Sequence, residues 1–335
     1  MWQVVGQTRA VSLLQSSLRR GSLAHAYLFV GPPHVGKMTL ALNLAQALNC
    51  EAAQPPCGDC APCQKIALAK HADVQIIGLV NEAKEIGIDQ IRQMQHSASL
   101  PPYEGKYKIF IIDGAEQLSI EAANCLLKTL EEPVGKVIFI LLAINDRLLP
   151  ATVVSRCQRV ELFPLATTEV EAALNSSWGI EPPKARLLAR LCHGCLGWAI
   201  SAARDDGWLK QRSQRVDRLL DVINADYEER FGYVAQLAAQ FSQSRVLVQE
   251  VLDLWRDWWR DLLLVKVGCS EAITNIDLEA KLVEMARGYS LAQIRAVIGS
   301  LQAAEEQLKQ NANPQLVLEV LMLGIPRGVI SVNYG

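Results

Sequence analysis

The chain has 335 residues, of which 50% are apolar and 20% charged, and a net charge of -2. That length calls for two or three domains with real cores. The charge balance excludes a mainly electrostatic nucleic-acid binder, and the longest apolar runs are too short to cross a membrane.

The opening Met1-Trp2-Gln3 has no secretory character and leads into a polar amphipathic stretch. A cytosolic (cytoplasmic) protein is therefore expected, and its nine cysteines need a use other than disulfides. Residues 26–30 then read as an apolar strand, and 37–48 as a helix with Leu40, Leu44 and Leu48 on one face. Between them lies Gly31-x4-Gly36-Lys37, the spacing of a phosphate-binding P-loop. Its backbone N–H groups and helix N-terminus would face anionic oxygens, with Lys37 adding a full charge. The bland alternative is an incidental glycine turn. Two residues depart from a working loop. His34 stands where a third glycine is common, and Met38 replaces the Ser or Thr that holds Mg²⁺. Thr39 comes one place later, on what should be another side of the helix.

A Cys- and Pro-rich segment follows, with Cys50, Cys57, Cys60 and Cys63 spaced C-x6-C-x2-C-x2-C and turns expected at Gly58 and Pro62. Cys-x2-Cys pairs suit one tetrahedral Zn²⁺, and four thiolates would close its shell and make it structural. An iron–sulfur cluster or free thiols remain as alternatives. Strands are predicted at 74–79, 108–112 and 137–142, and helices at 88–97 and 119–130, the latter capped by Ser119 and stopped by Pro133. Repeated strand–helix alternation implies a parallel sheet covered on both faces. Asp113, at the end of an apolar strand, fits a Mg²⁺-holding carboxylate or else a simple turn cap. The next position, often a water-polarising Glu, is Gly114, and Glu116 should face elsewhere. Without a hydroxyl at 38 and an acid at 114, hydrolysis should be lost or very slow. Arg156, in Ser155-Arg156-Cys157, is either a surface ion-pairing residue or a finger reaching a neighbour's phosphates.

Beyond Phe163-Pro164 only helical periodicity remains, with a break near Asp205-Asp206-Gly207. Trp255, Trp258 and Trp259 at helical spacing read as core, or alternatively as a base-stacking platform. Cys125, Cys157 and Cys269 read as small buried residues, and Cys192 and Cys195 as packing at a helix end.

The order VGQ, HAYLF-GPP-x2-GK, the four-cysteine cluster, IIDGAEQLSIEAANCLLKTLEEP, VVSRC, GCLGWA and NANPQL resembles the bacterial DNA polymerase III clamp-loader subunits, members of the AAA+ superfamily. The resemblance implies an α/β P-loop AAA+ domain with a zinc module over 1–164. A helical lid over 165–206 and an all-α collar over 207–335 complete the architecture it implies. Tau/gamma-like members hydrolyse ATP and keep the residues that Met38 and Gly114 replace, so the chain is nearer the delta-prime-like kind; a tau/gamma-like motor is the alternative. The resemblance makes Arg156 an arginine finger acting in trans, puts Asn145 near the sensor-1 position, and places Trp198 where an active ATPase has Arg. It implies tau/gamma and delta subunits as partners in a hetero-pentamer that places a sliding clamp on primed DNA, with ATP or ADP held weakly or not at all.

Overall fold

The structure is a computed structural model that describes residues 2–80, 83–132, 135–205 and 207–327. Two compact units emerge, one of residues up to Ala173 together with His193–Trp198, the other of Leu174–Cys192 and the chain from Ala199 onward.

The first unit is built on a five-stranded parallel sheet of order β2-β3-β4-β1-β5. Its strands are β1 (Ala26–Val30), β2 (Val74–Ile77), β3 (Lys108–Asp113), β4 (Val137–Ala143) and β5 (Gln158–Glu161). Its helices are α1 (Thr8–Arg20), α2 (Lys37–Asn49), α3 (Ala61–Ala67), α4 (Ile88–Ala98), α5 (Ile120–Glu131) and α6 (Ala151–Val154). The apolar central strands are buried on both faces because alternate side chains enter two different cores. Tyr27 and Phe29 of β1, with Ile138, Ile140 and Leu142 of β4, pack with α1 and α2. Ala26, Leu28 and Val30, with Phe139 and Leu141, pack with α4 and α5. Ser119 caps α5, its hydroxyl accepting from the Ala122 N–H at 3.1 Å. Pro133, expected to stop that helix, lies outside the described residues.

Two elements and the burial of three cysteines depart from the sequence expectation. β5 went unforeseen because QRVE has one buried residue, Val160, and forms a sheet edge against β1. α3 lies inside the cysteine segment, so Pro62 opens a helix instead of making a tight turn. Cys125, Cys157 and Cys269 are half-buried rather than buried.

The second unit is helical. α7 (Thr167–Trp178) and α9 (Leu196–Arg204) run across the division between the units, and α8 (Pro182–Leu191) lies within the second. α10 (Gly207–Asn224), α11 (Tyr227–Gln243), α12 (Arg245–Lys266), α13 (Glu279–Arg287), α14 (Leu291–Lys309) and α15 (Pro314–Gly324) follow. Trp255, Trp258 and Trp259 of α12 are fully buried in this unit's core. Trp255 stacks on Tyr233 at 6.0 Å and Trp259 tilts against Tyr289 at 5.1 Å, which leaves no face for a nucleobase. Arg230 is also fully buried. Its guanidinium donates to the carbonyls of Val222 and Ile223 at the end of α10 and of Met322 and Ile325 at the end of α15. A cation suits two helix C-termini, where unpaired carbonyls concentrate negative charge.

Candidate functional site

The P-loop leaves β1 at Gly31 and enters α2 at Lys37, and both glycines are sterically required. A Cβ on Gly31 would lie 2.6 Å from the Leu162 carbonyl oxygen, and Gly36 has φ +108°. His34 also takes a left-handed backbone, φ 60°, so it does the work of the glycine it replaces. Its carbonyl accepts the Gly197 N–H at 3.0 Å, seating the GCLGWA segment against the loop. Only a glycine fits at 197, since a Cβ there would meet that same oxygen at 2.7 Å.

A cleft of about 400 Å³ opens over the loop. Lys37, Met38, Thr39, Asp113, Gly114, Glu116, Ile144 and Gly197 line it. Two expectations are corrected here. Thr39 faces the cleft beside Met38. Glu116 faces it too, because Gly114 adopts φ +73° and a 3₁₀ turn over Ala115–Gln117 carries the next carboxylate back. One Glu116 oxygen accepts from the Ile144 N–H at 3.4 Å, while the other is buried without a hydrogen-bond partner among the described residues. Lys37 folds back on its own loop, its Nζ donating to the carbonyls of Gly31 at 2.6 Å and Pro32 at 2.8 Å. Burial lowers its pKa, opposed by the negative charge of Glu116 and Asp113. The cleft thus holds one cation against two carboxylates, with no hydroxyl at position 38. Asn145 is exposed and does not line it. Its side chain instead accepts the Arg147 N–H at 3.0 Å, capping a short turn. Trp198, beside Gly197, is half-buried.

The cysteine cluster converges. The Sγ atoms of Cys50, Cys57, Cys60 and Cys63 all lie within 4.8 Å of one another, with Cys57–Cys63 at 3.9 Å and Cys60–Cys50 at 4.0 Å. Tetrahedral Zn–S bonds of about 2.3 Å put sulfurs about 3.8 Å apart, so the four fit one ion. Backbone N–H groups point at two of them, Ala52 to Cys50 at 3.4 Å and Cys60 to Cys57 at 3.3 Å. The N–H groups of Cys60 and Asp59 pull the Cys57 thiol down to about 6, the direction a metal ligand needs, while burial pushes Cys63 up to about 12. Surrounding contacts tie the module to α2, and the end of α2 to the residue before β3. Gln46 donates to the Cys63 carbonyl at 2.9 Å, and Asn49 exchanges two hydrogen bonds with the Tyr107 backbone. Below it the carboxylate of Asp73, fully buried, accepts three backbone N–H groups of Tyr103, Glu104 and Gly105 at 2.7–2.8 Å. Sequence reading missed Asp73; a lone acid before a strand carries no such signal.

Arg156 follows α6 at the surface, with its side chain 34% exposed. Its Nη1 donates to the Thr152 carbonyl at 2.9 Å and to the Ser155 hydroxyl at 3.4 Å, and its Nη2 pairs with Glu131 at 2.6 Å.

A parallel sheet carrying a P-loop after β1 and an acid at the end of β3, followed by a helical C-terminal unit, defines an AAA+ P-loop protein. Residues 6–166 match the family model described as DNA polymerase III, delta subunit, and residues 207–326 match that of its C-terminal part. The delta′ subunit of DNA polymerase III from Bacillus subtilis is 29% identical over 96% of this chain and 97% of its own length. The tau subunit from Escherichia coli is 29% identical over 96% of this chain, which spans 52% of tau. A DNA polymerase III gamma subunit-related protein of Thermotoga maritima superposes with a TM-score of 0.44 at 18% identity, covering 94% of this chain and 99% of that one. The chain belongs to the DNA polymerase III clamp-loader subunits, on their delta-prime side. Among the described residues no helix is long and apolar enough to cross a membrane.

Proposed function

We propose that the chain is a fixed, non-hydrolysing arm of a clamp loader. It would assemble with tau/gamma and delta subunits into a hetero-pentamer that opens a sliding clamp and sets it on primed DNA. The observation that carries this reading is the contrast between two sites. The cleft has Met38 in place of a metal-binding hydroxyl and a left-handed Gly114 in place of an acid, with Lys37 bonded to its own loop. Arg156 meanwhile stands at the surface with its guanidinium partly open. It would serve as a finger stabilising charge on a neighbour's transferring phosphoryl group. Gly31, Gly36, Lys37, Thr39 and Asp113, with Asn145 nearby, would give ATP or ADP at most a weak hold. The cysteine cluster would hold zinc as a structural ion. Residues 1–164, 165–206 and 207–335 would be the AAA+ domain, lid and collar, the last joining the ring.

The test is reconstitution with the organism's own tau and delta subunits, clamp and primed DNA. Arg156→Ala should lower DNA-stimulated ATP turnover while the complex still assembles; unchanged turnover removes the finger. Brisk Mg²⁺-dependent turnover by the isolated chain, abolished by Lys37→Ala, would instead favour a tau/gamma-like motor, for which Thr39 and Glu116 already face the cleft.

A further inference from the structure

Glu131 is the last residue of α5, and its carboxylate lies 2.6 Å from Arg156 Nη2. A carboxylate at a helix C-terminus is unfavourable, because the unpaired carbonyls there already concentrate negative charge. Glu131 therefore does nothing for the helix that bears it. Its partner is a residue on a different element, 25 positions along the chain. The remaining contacts of that guanidinium go to neutral oxygens, the Thr152 carbonyl and the Ser155 hydroxyl, both on Nη1. An arginine side chain has four rotatable bonds, and tying down one nitrogen leaves the plane of its fork free to swing. Holding Nη1 from one side and Nη2 from the other fixes that plane, which decides whether the fork can meet a phosphate with two parallel bonds.

We propose that Glu131 is the positioning residue of Arg156: it orients the guanidinium before a neighbour's phosphate arrives, without touching that phosphate itself. The proposal rests on the finger reading above. It gives a role to the first acid of Leu130-Glu131-Glu132, until now only part of a signature. Oriented in advance, the finger would lose less side-chain freedom when it engages, and the gain would appear in the chemical step.

The reconstituted loader, with saturating clamp and primed DNA, separates the outcomes. Glu131→Ala should lower kcat for ATP by about two- to fivefold, the upper figure being the roughly 1 kcal/mol ceiling of a half-exposed ion pair. KM for ATP should stay unchanged. Glu131→Gln keeps an acceptor oxygen and should recover part of the loss. In the Arg156→Ala background, Glu131→Ala should cost nothing further, as a residue that acts only through Arg156 requires. Arg156→Ala lowering turnover while Glu131→Ala leaves it unchanged or raises it would overturn this inference alone. Losses that multiply in the double variant would overturn it too. If Arg156→Ala has no effect, the finger and its positioning residue fall together.

Discussion

The cleft's missing acid is a matter of backbone before it is a matter of side chain, and Gly114 tests this directly. At φ +73° any side chain pays a steric cost of about 1–2 kcal/mol. A Cβ would also lie 2.6 Å from the Gln117 side-chain oxygen, but that is the end of a flexible chain on an exposed residue and can swing aside. The backbone cost therefore dominates, and Gly114→Ala should carry nearly all of it. For a unit of 150–250 residues, each kcal/mol is worth about 2–4 °C, so the melting temperature should fall by roughly 2–8 °C. Gly114→Glu, which restores the acidic pair of a hydrolysing relative, should fall by a similar amount and still release no phosphate. Its carboxylate would leave from a left-handed residue, and Met38 would still offer the metal nothing. Calorimetry and a phosphate-release assay on the purified chain check both halves. A Gly114→Ala variant that melts at or above the wild-type temperature, or a Gly114→Glu variant that turns over ATP, would refute the reasoning.

Asp73 should make the first unit acid-sensitive. Burial raises its pKa, but the three N–H groups of Tyr103, Glu104 and Gly105, helped by His71, outweigh that and hold it below the ordinary 3.8. A depressed folded pKa means stabilisation that is complete above the unfolded value and lost as pH falls through the lower folded one. Wild type should thus melt above Asp73→Asn at neutral pH, and the gap should start to narrow only below about pH 4 and go on narrowing as the pH falls through the lower folded value; a gap that does not narrow in acid contradicts this account. Arg230→Met would leave four buried carbonyls without their donor and should destabilise the helical unit by about 3–5 kcal/mol, read as a lower urea midpoint. Metal analysis of the purified chain should find one zinc, and Cys63→Ser should reduce it sharply. Chelation should also speed amide exchange in α3, and full protection of α3 without metal would show that the ion is not structural.

The sequence was most legible where a single physical rule governed a segment. Uninterrupted apolar runs made β1, β3 and β4 visible because each is buried on both faces, and Cys-x2-Cys spacing announced a cluster that the fold closes. β5 was hidden because an edge strand needs few apolar residues; Val160 is the only buried one it has. Thr39 and Glu116 were placed facing elsewhere by counting along ideal elements. For Glu116 a positive φ at Gly114 followed by a 3₁₀ turn shifts that count, and nothing in the letters GAEQ says so; Thr39, in the first exposed turn of α2, lines the cleft together with Met38. Conversely, three tryptophans at helical spacing left core and stacking platform open, and only their burial decides for core.

Lys37 clasping the carbonyls of Gly31 and Pro32 means that this loop supplies acceptors for its own lysine. A cradle of that kind needs no guest to keep its shape. Its lysine is held in place by the chain's own backbone, as a post is held by its footing.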